Sequence, residues 1–431
     1  MSERLFVGAG SAVVTPHLGS HLMGYAPTRP AESIGDDLTA DAIALQYAET
    51  TAMLITIHVG VLENARYDSL RALISAETGV PYENIIICTT HTHSAPCTAA
   101  ISGWSEIDVE YFDGILQPAV LSASRQAMDA LVPVRTGVGV VQSDVGINRR
   151  QLNRDGSVTL GQNPWAPYDP NMTVVSFRGD DGKTVANIIH YSAHGTGAGY
   201  SPEVTRDWPG PMIDALTGLT GAVTAFLNGA IGDTGPRLSN GGTTGNYSLA
   251  MQLGAKAALD AVRAWRSIKD YAELDLGVVT GEIRLPNEPL PPANELREAL
   301  KNYPDPDSLC GMPKAEYLNY SAQLAEYSSG EPLKTHSCYD QTVLRVGPVV
   351  FVPFRHEIFV EIALRLREYS PYQYTLSLTN ANGAHAYFPS RDQICRGGYE
   401  IAARKLINTY ILAPDADEAV ITQNLELIEK L

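Results

Sequence analysis

Two histidines separated by one threonine, His91 and His93 in the run TTHTHSAP from Thr89 to Pro96, form the densest chemical feature of the chain. On an extended backbone, alternate residues face the same side, so the pair offers two imidazoles to one point, as metal ligands or as proton-transfer groups. Other groups of the same kind stand singly: His194 in YSAHGTGAG, Glu357 in PFRHEIFVEI and Tyr387 in TNANGAHAYFPS. A catalytic zinc takes three protein ligands from His, Asp, Glu or Cys and keeps a position open for water. His91, His194 and Glu357 fit that set, and Tyr387 is a less usual fourth. A lone histidine is by default a hydrogen-bonded core or surface residue, the reading given to His17, His21, His58, His190 and His336. Joint placement sets the other residues apart.

Each candidate follows a short apolar run that reads as a strand: Ile85 to Cys88, Val185 to Tyr191, Val349 to Val352 and Tyr374 to Leu378, with a fifth, Ala222 to Leu227, leading into NGAIGDTGPR. Helical periodicity is clearest from Asn246 to Ile268, where Leu249, Leu253, Ala257, Ala261 and Trp265 recur every four residues, and from Glu357 to Tyr369. The pattern predicts an α/β fold, a layered sandwich with a mixed, largely parallel sheet and the site at the strand carboxyl ends, where residues distant in sequence converge. A single catalytic domain is expected over residues 1–431. The segment 285–340, with LPNEPLPPANE, YPDPDS and a tyrosine-rich stretch from Glu316 to Tyr327, reads as an excursion or cap within it.

Composition narrows the partners. With 431 residues, 44% hydrophobic and 18% charged, the chain can bury a large core. A formal charge of −17 argues against nucleic acid and against anionic membrane, both of which need clustered Lys and Arg. The five cysteines show no CxxC spacing, so neither a disulfide framework nor a cysteine zinc site is indicated. No secretion signal and no 18-residue apolar run are found, and a soluble cytoplasmic protein acting on a small molecule, without membrane insertion, is expected.

Taken in order, LMGYA (22–26), TTHTHSAP, GINRR with Asn148 and Arg149, YDPN (168–171), YSAHGTG, RDWPG (206–210) and FLNGAIGDTGPR resemble the catalytic domain of neutral, non-lysosomal ceramidases, from about Gly8 to Tyr399. The resemblance implies a zinc ion held by His91, His194, Glu357 and Tyr387, and hydrolysis of an amide by metal-activated water. It gives His93 a role in proton handling or, as an alternative, in fixing loop geometry. Arg149 would hold a substrate oxygen or, in the plainer reading, pair with Asp207 or another carboxylate. Asp233 would act near the metal, with Asn148, Gly232, Thr234, His356 and His385 on the substrate. His356 and His385 also rival Glu357 and Tyr387 as ligands.

The departures from the family pattern concern the substrate. The family reads GDVSP where this chain has GDTGP, so Gly235 stands in place of a serine implicated in catalysis, and Arg355-His356-Glu357 replaces a compact PGE turn. The family's β-sandwich domain and secretion signal are missing from the sequence, which points to a soluble small amide, lactam or N-acyl compound rather than a sphingolipid. The same metal would also serve ester or lactone hydrolysis, or a lyase or isomerase reaction. A non-catalytic member of the fold is the third reading.

Overall fold

Apolar runs rich in Ile, Val and Leu build the two main sheets of the computed structural model, which describes residues 4–100 and 104–431. The larger sheet has eight strands in the spatial order Val223–Asn228, Thr184–Tyr191, Asn171–Gly179, Val132–Gln142, Phe6–Val13, Thr39–Tyr47, Thr50–Ile57 and Ile85–Thr89. The smaller has four: Leu276–Pro286, His336–Val346, Val349–Phe354 and Tyr374–Thr379. Ile43, Leu54, Ile86, Phe177 and Ile188 of the first sheet meet Leu344, Phe351, Leu376 and Leu378 of the second in one core between them. Covering both faces explains why strands such as Ile85–Thr89 are apolar throughout instead of alternating.

Helices complete the layers. Asn64–Thr78 and Gln117–Asp129 cover the outer face of the large sheet around Tyr67, Leu70 and Val120. Pro209–Thr220 and Tyr247–Arg266 cover it further along, around Trp208, Met212 and Ala257. On the far face of the small sheet, Val360–Tyr369 and Ala416–Ile428 pack onto Ile283, Val343 and Val350. Among the described residues no helix is long and apolar enough to cross a membrane.

The α/β layering agrees with the sequence, but the balance of strand directions differs from the largely parallel sheet expected. Among the described residues the large sheet has two parallel ladders, Thr184–Tyr191 with Val223–Asn228 and Thr50–Ile57 with Ile85–Thr89. Tight turns account for the rest: Ala48, in a left-handed conformation at φ 49°, and Glu49 close one hairpin, and residues 180–183 close another. A third parallel ladder joins Val349–Phe354 to Tyr374–Thr379. The parallel pairs contain all five strands whose loops carry the candidate residues, so their carboxyl ends open toward common ground. The edges of the large sheet also meet. Thr56 Oγ1 donates to the Phe226 carbonyl at 2.7 Å and Asn228 Nδ2 to the Thr90 carbonyl at 3.0 Å, which brings the His91 loop beside the loops after Tyr191 and Asn228.

Residues 285–340 grow from a β-hairpin. Leu276–Pro286 and His336–Val346 pair along their whole length, and the helices Ala293–Leu300 and Gly311–Ser328 are inserted at the open end.

Candidate active site

The loop after Ile85–Thr89 is bent sharply. His91 lies in the left-handed region at φ 60°, a conformation that costs a non-glycine residue and that functional sites often retain. Its Nδ1 is 3.1 Å from the Gly60 carbonyl oxygen and 3.1 Å from the Asn380 amide. His194 is anchored alike, with Nδ1 2.9 Å from the Ile231 carbonyl oxygen. A carbonyl at Nδ1 calls for the proton there, which leaves each Nε2 with its lone pair free of that proton, His194's without a partner and His91's 3.3 Å from His93 Nε2. Both lone pairs point at one atom: Glu357 Oε2 is 3.5 Å from His91 Nε2 and 3.4 Å from His194 Nε2.

Glycines let these loops meet. A β-carbon on Gly195 would lie 2.6 Å from the His91 carbonyl oxygen, and one on Gly232 would lie 2.4 Å from that of Glu357. Through the first approach His93 N–H donates to the Gly195 carbonyl at 3.0 Å, and through the second Gly232 N–H donates to that of Ile358 at 2.9 Å. Glu357 is further fixed by a parallel two-residue ladder that sets it beside Tyr387.

Electrostatics follow from burial. Burial first, then Arg149 and the neighbouring histidines, push the His194 imidazole well below its ordinary range. Burial first, with His91 and Arg149 adding, does the same to His93. The Glu357 carboxyl is raised by burial, with His91, Arg149 and a hydrogen bond from Tyr387 acting against that. Neither His194 Nε2 nor Glu357 Oε2 has a hydrogen-bond partner. Orphaned acceptors of these types, converging in a buried place, fit a metal cation. Ligand atoms of His91, His93 and His194 all lie within 4.8 Å of one another, and among the described residues this is the group that could hold a metal ion. His93 Nε2 stands 3.3 Å from His91 Nε2. Its ring packs against Gly24 and Tyr25, and its carbonyl accepts from Arg29 Nη2 at 3.1 Å.

A cavity of about 400 Å³ opens over this group, lined among others by His93, His194, Arg149, Tyr387, Tyr399, Tyr25, Trp104 and Tyr200. Gly311 and Met312 of the inserted helices complete one wall. A larger space of about 760 Å³ lies across Trp104 and contains none of the four proposed ligands.

Arg149 is buried with its centre 5.3 Å from the Tyr387 ring centroid. Its carboxylate partner is Glu400 at 2.9 Å rather than Asp207, whose oxygens accept from Gly197, Ala198 and Trp208 N–H groups and so brace the His194 loop. Sequence reasoning missed Glu400, Asn380 and Asp207's bracing role. Asn380 sits inside the TNANG run already singled out for its tyrosine, and its positive φ of 51° is the kind of strand-end turn that Asn favours.

Other expected residues fall outside the cavity. Asp233 accepts from Val360 N–H at 2.7 Å and from Asn148 Nδ2 at 3.1 Å, and burial pushes its carboxyl up to about 7. Asn148 also accepts from Arg150 N–H, at 3.0 Å, and Asp233 and Asn148 line a separate polar cleft. Thr234 is wholly buried, and its carbonyl accepts from His194 N–H at 3.0 Å. His356 and His385 stack on each other with centroids 5.0 Å apart, His356 edge-on to Phe388, and neither lines the cavity. Adjacent residues of an extended segment face opposite ways, which turns His356 from the side that Glu357 occupies. A β-carbon at Gly235 would lie 2.7 Å from Thr243 Cβ, so Thr243 takes up the space a side chain at 235 would need.

No protein-family model matches the chain, and no curated protein sequence is similar to it. Among solved structures, neutral ceramidase from Pseudomonas aeruginosa superposes with a TM-score of 0.74 at 18% identity, over all of this chain and 75% of that one. A structure described as ceramidase complexed with C2 gives 0.73 at 17%, over all of this chain and 76% of that one. The chain thus has the neutral ceramidase fold, in agreement with the resemblance seen in its motifs.

Proposed function

We propose that this protein is a zinc-dependent hydrolase that cleaves the C–N amide bond of a soluble small amide, lactam or N-acyl compound, a ceramidase-like enzyme rather than a true ceramidase. The observation that carries the reading is the convergence of two imidazole nitrogens on Glu357 Oε2, at 3.5 and 3.4 Å, each imidazole tethered at Nδ1 by a backbone carbonyl. Such tethers fix ring orientation and raise ligand basicity. His91, His194, Glu357 and Tyr387 would hold the metal. When bound, zinc lowers the pKa of its water toward about 7 and polarises a carbonyl.

The chain's own groups do the rest. His93, neutral and walled by Gly24 and Tyr25, can take a proton at Nε2 and return it to the departing amine nitrogen. Arg149 would meet the substrate's oxygen side, where negative charge develops. The aromatic walls favour a small, partly apolar substrate.

Metal analysis of the purified protein tests the ligand set. About one zinc per chain is expected, and full occupancy surviving His91→Ala combined with His194→Ala would overturn the reading. A panel of N-acyl amides matched against the corresponding esters tests the reaction. Turnover of esters alone would move the assignment to ester hydrolysis at the same site.

A further inference from the structure

Two buried guanidinium groups share a single carboxylate beside the cavity. Arg149 Nε bonds Glu400 Oε1 at 2.9 Å and Arg150 Nη1 bonds Glu400 Oε2 at 2.8 Å. The remaining contacts of Arg150 are neutral, to the Gln393 amide and the Gly397 carbonyl. Two cations thus have one hydrogen-bonded carboxylate between them, in a place where buried charges are normally paired one to one. The surplus faces the cavity on the Arg149 side. Arg149 lines it, and Arg149 Nη2 is buried with no hydrogen-bond partner.

Glu357 also acts on Arg149, but it is one of the residues that would hold the metal. No Asp or Glu lines the cavity among the described residues, although the chain as a whole carries 48 acidic residues against 31 basic ones. A guanidinium is not deprotonated in proteins, so the charge persists. A carbonyl oxygen would satisfy the open N–H. Only an anion would also balance the charge, and a carboxylate matches guanidinium geometry with two oxygens.

We propose that the amide cleaved here carries a carboxylate, as an N-acyl amino acid does, and that this carboxylate pairs with Arg149 Nη2 while the amide lies toward His91, His93 and His194. The assignment rests on the hydrolase reading for the cleavage and on Arg149 for the recognition. For N-benzoylglycine the reaction consumes one water, breaks the C–N bond and releases benzoate and glycine, with the proton passing to the glycine nitrogen.

The test compares N-benzoylglycine with N-isobutylbenzamide, which has the same shape without the charge. Turnover is followed on the zinc-loaded enzyme, and binding by calorimetry on zinc-loaded and metal-stripped protein. Expected is a preference of about tenfold or more for the carboxylate in both binding and kcat/KM, equal to about 1.4 kcal/mol. Arg149→Gln should abolish the preference and Arg149→Lys should keep part of it. Equal or weaker binding of the carboxylate by the wild-type protein overturns the proposal, whether or not the variants fold. A preference that survives Arg149→Gln also overturns it, because the metal would then be the anion's partner. If the neutral amide alone is cleaved, the hydrolase reading stands and the carboxylate assignment falls. If N-benzoylglycine binds by way of Arg149 but neither amide is cleaved, the recognition stands and the hydrolase reading falls.

Discussion

His194 Nε2 and Glu357 Oε2 stand 3.4 Å apart, both buried and neither hydrogen-bonded within the protein. With the His194 proton held at Nδ1 by the Ile231 carbonyl, two acceptors face each other, an arrangement that needs a cation between them or a proton on Glu357. A resident metal should therefore stabilise the fold. Stripping it with a chelator is expected to cost about 3–4 kcal/mol at metal concentrations of 100 to 1,000 times Kd, read as a fall in Tm that added zinc reverses. Glu357→Gln should weaken zinc binding by more than the roughly 10–100-fold typical of an outer partner, measured by competition with a chromophoric chelator.

Gly195→Ala should damage the site from beneath. Its β-carbon would lie 2.6 Å from the His91 carbonyl oxygen and 2.9 Å from Thr92 Cα, both backbone atoms that cannot swing aside. A loss of about 1–3 kcal/mol is expected by urea denaturation of the metal-stripped protein, as for other overpacked positions, together with weaker metal binding. Unchanged stability and unchanged zinc affinity would show that the two loops are not locked together.

Glu400→Gln leaves two buried guanidinium groups without their carboxylate. Removing one partner of a buried ion pair costs about 3–5 kcal/mol, so this variant should be among the least stable single substitutions in the chain. Thermal melts beside Glu361→Gln, at a half-buried carboxylate with no arginine hydrogen-bonded to it, provide the comparison.

Asp233 gives a pH dependence of known sign. Its carboxyl is raised in the folded protein to about 7, chiefly by burial, above the usual value of about 3.9 in an unfolded chain. The folded state thus binds the extra proton. The stability this contributes is complete below pH 4 and is lost as pH rises toward 7, at up to about 1.4 kcal/mol per pH unit. Asp233→Asn should be flatter than wild type between pH 4 and 7 in denaturant titrations. Parallel curves for the two proteins would show that Asp233 keeps an ordinary value.

Strand-end reasoning was informative because parallel strands put their carboxyl ends on one side, and His91, His194, Glu357 and Tyr387 each follow such a strand. What positions them was hidden for physical reasons. The anchors of the two imidazoles are the Gly60 and Ile231 carbonyls, backbone groups that every residue carries and that no residue type announces. Glu400 lies 251 positions from Arg149, so only the folded chain pairs them. Strand direction is hidden in the sequence where Ala48-Glu49 makes a hairpin without glycine at its bend. The opposite facing of His356 and Glu357, by contrast, could have been read from strand alternation alone.

The helices Ala293–Leu300 and Gly311–Ser328 leave the fold at the open end of one hairpin and return to it on the neighbouring strand, at the pair Pro286 and His336. They touch the cavity through Gly311 and Met312, and supply none of the groups that converge on Glu357. One wall of the cavity is thus carried by a length of chain separate from those that carry the reactive groups and Arg149. Grafting a different insertion between Pro286 and His336 offers a route to new substrates in which the reactive centre is inherited intact.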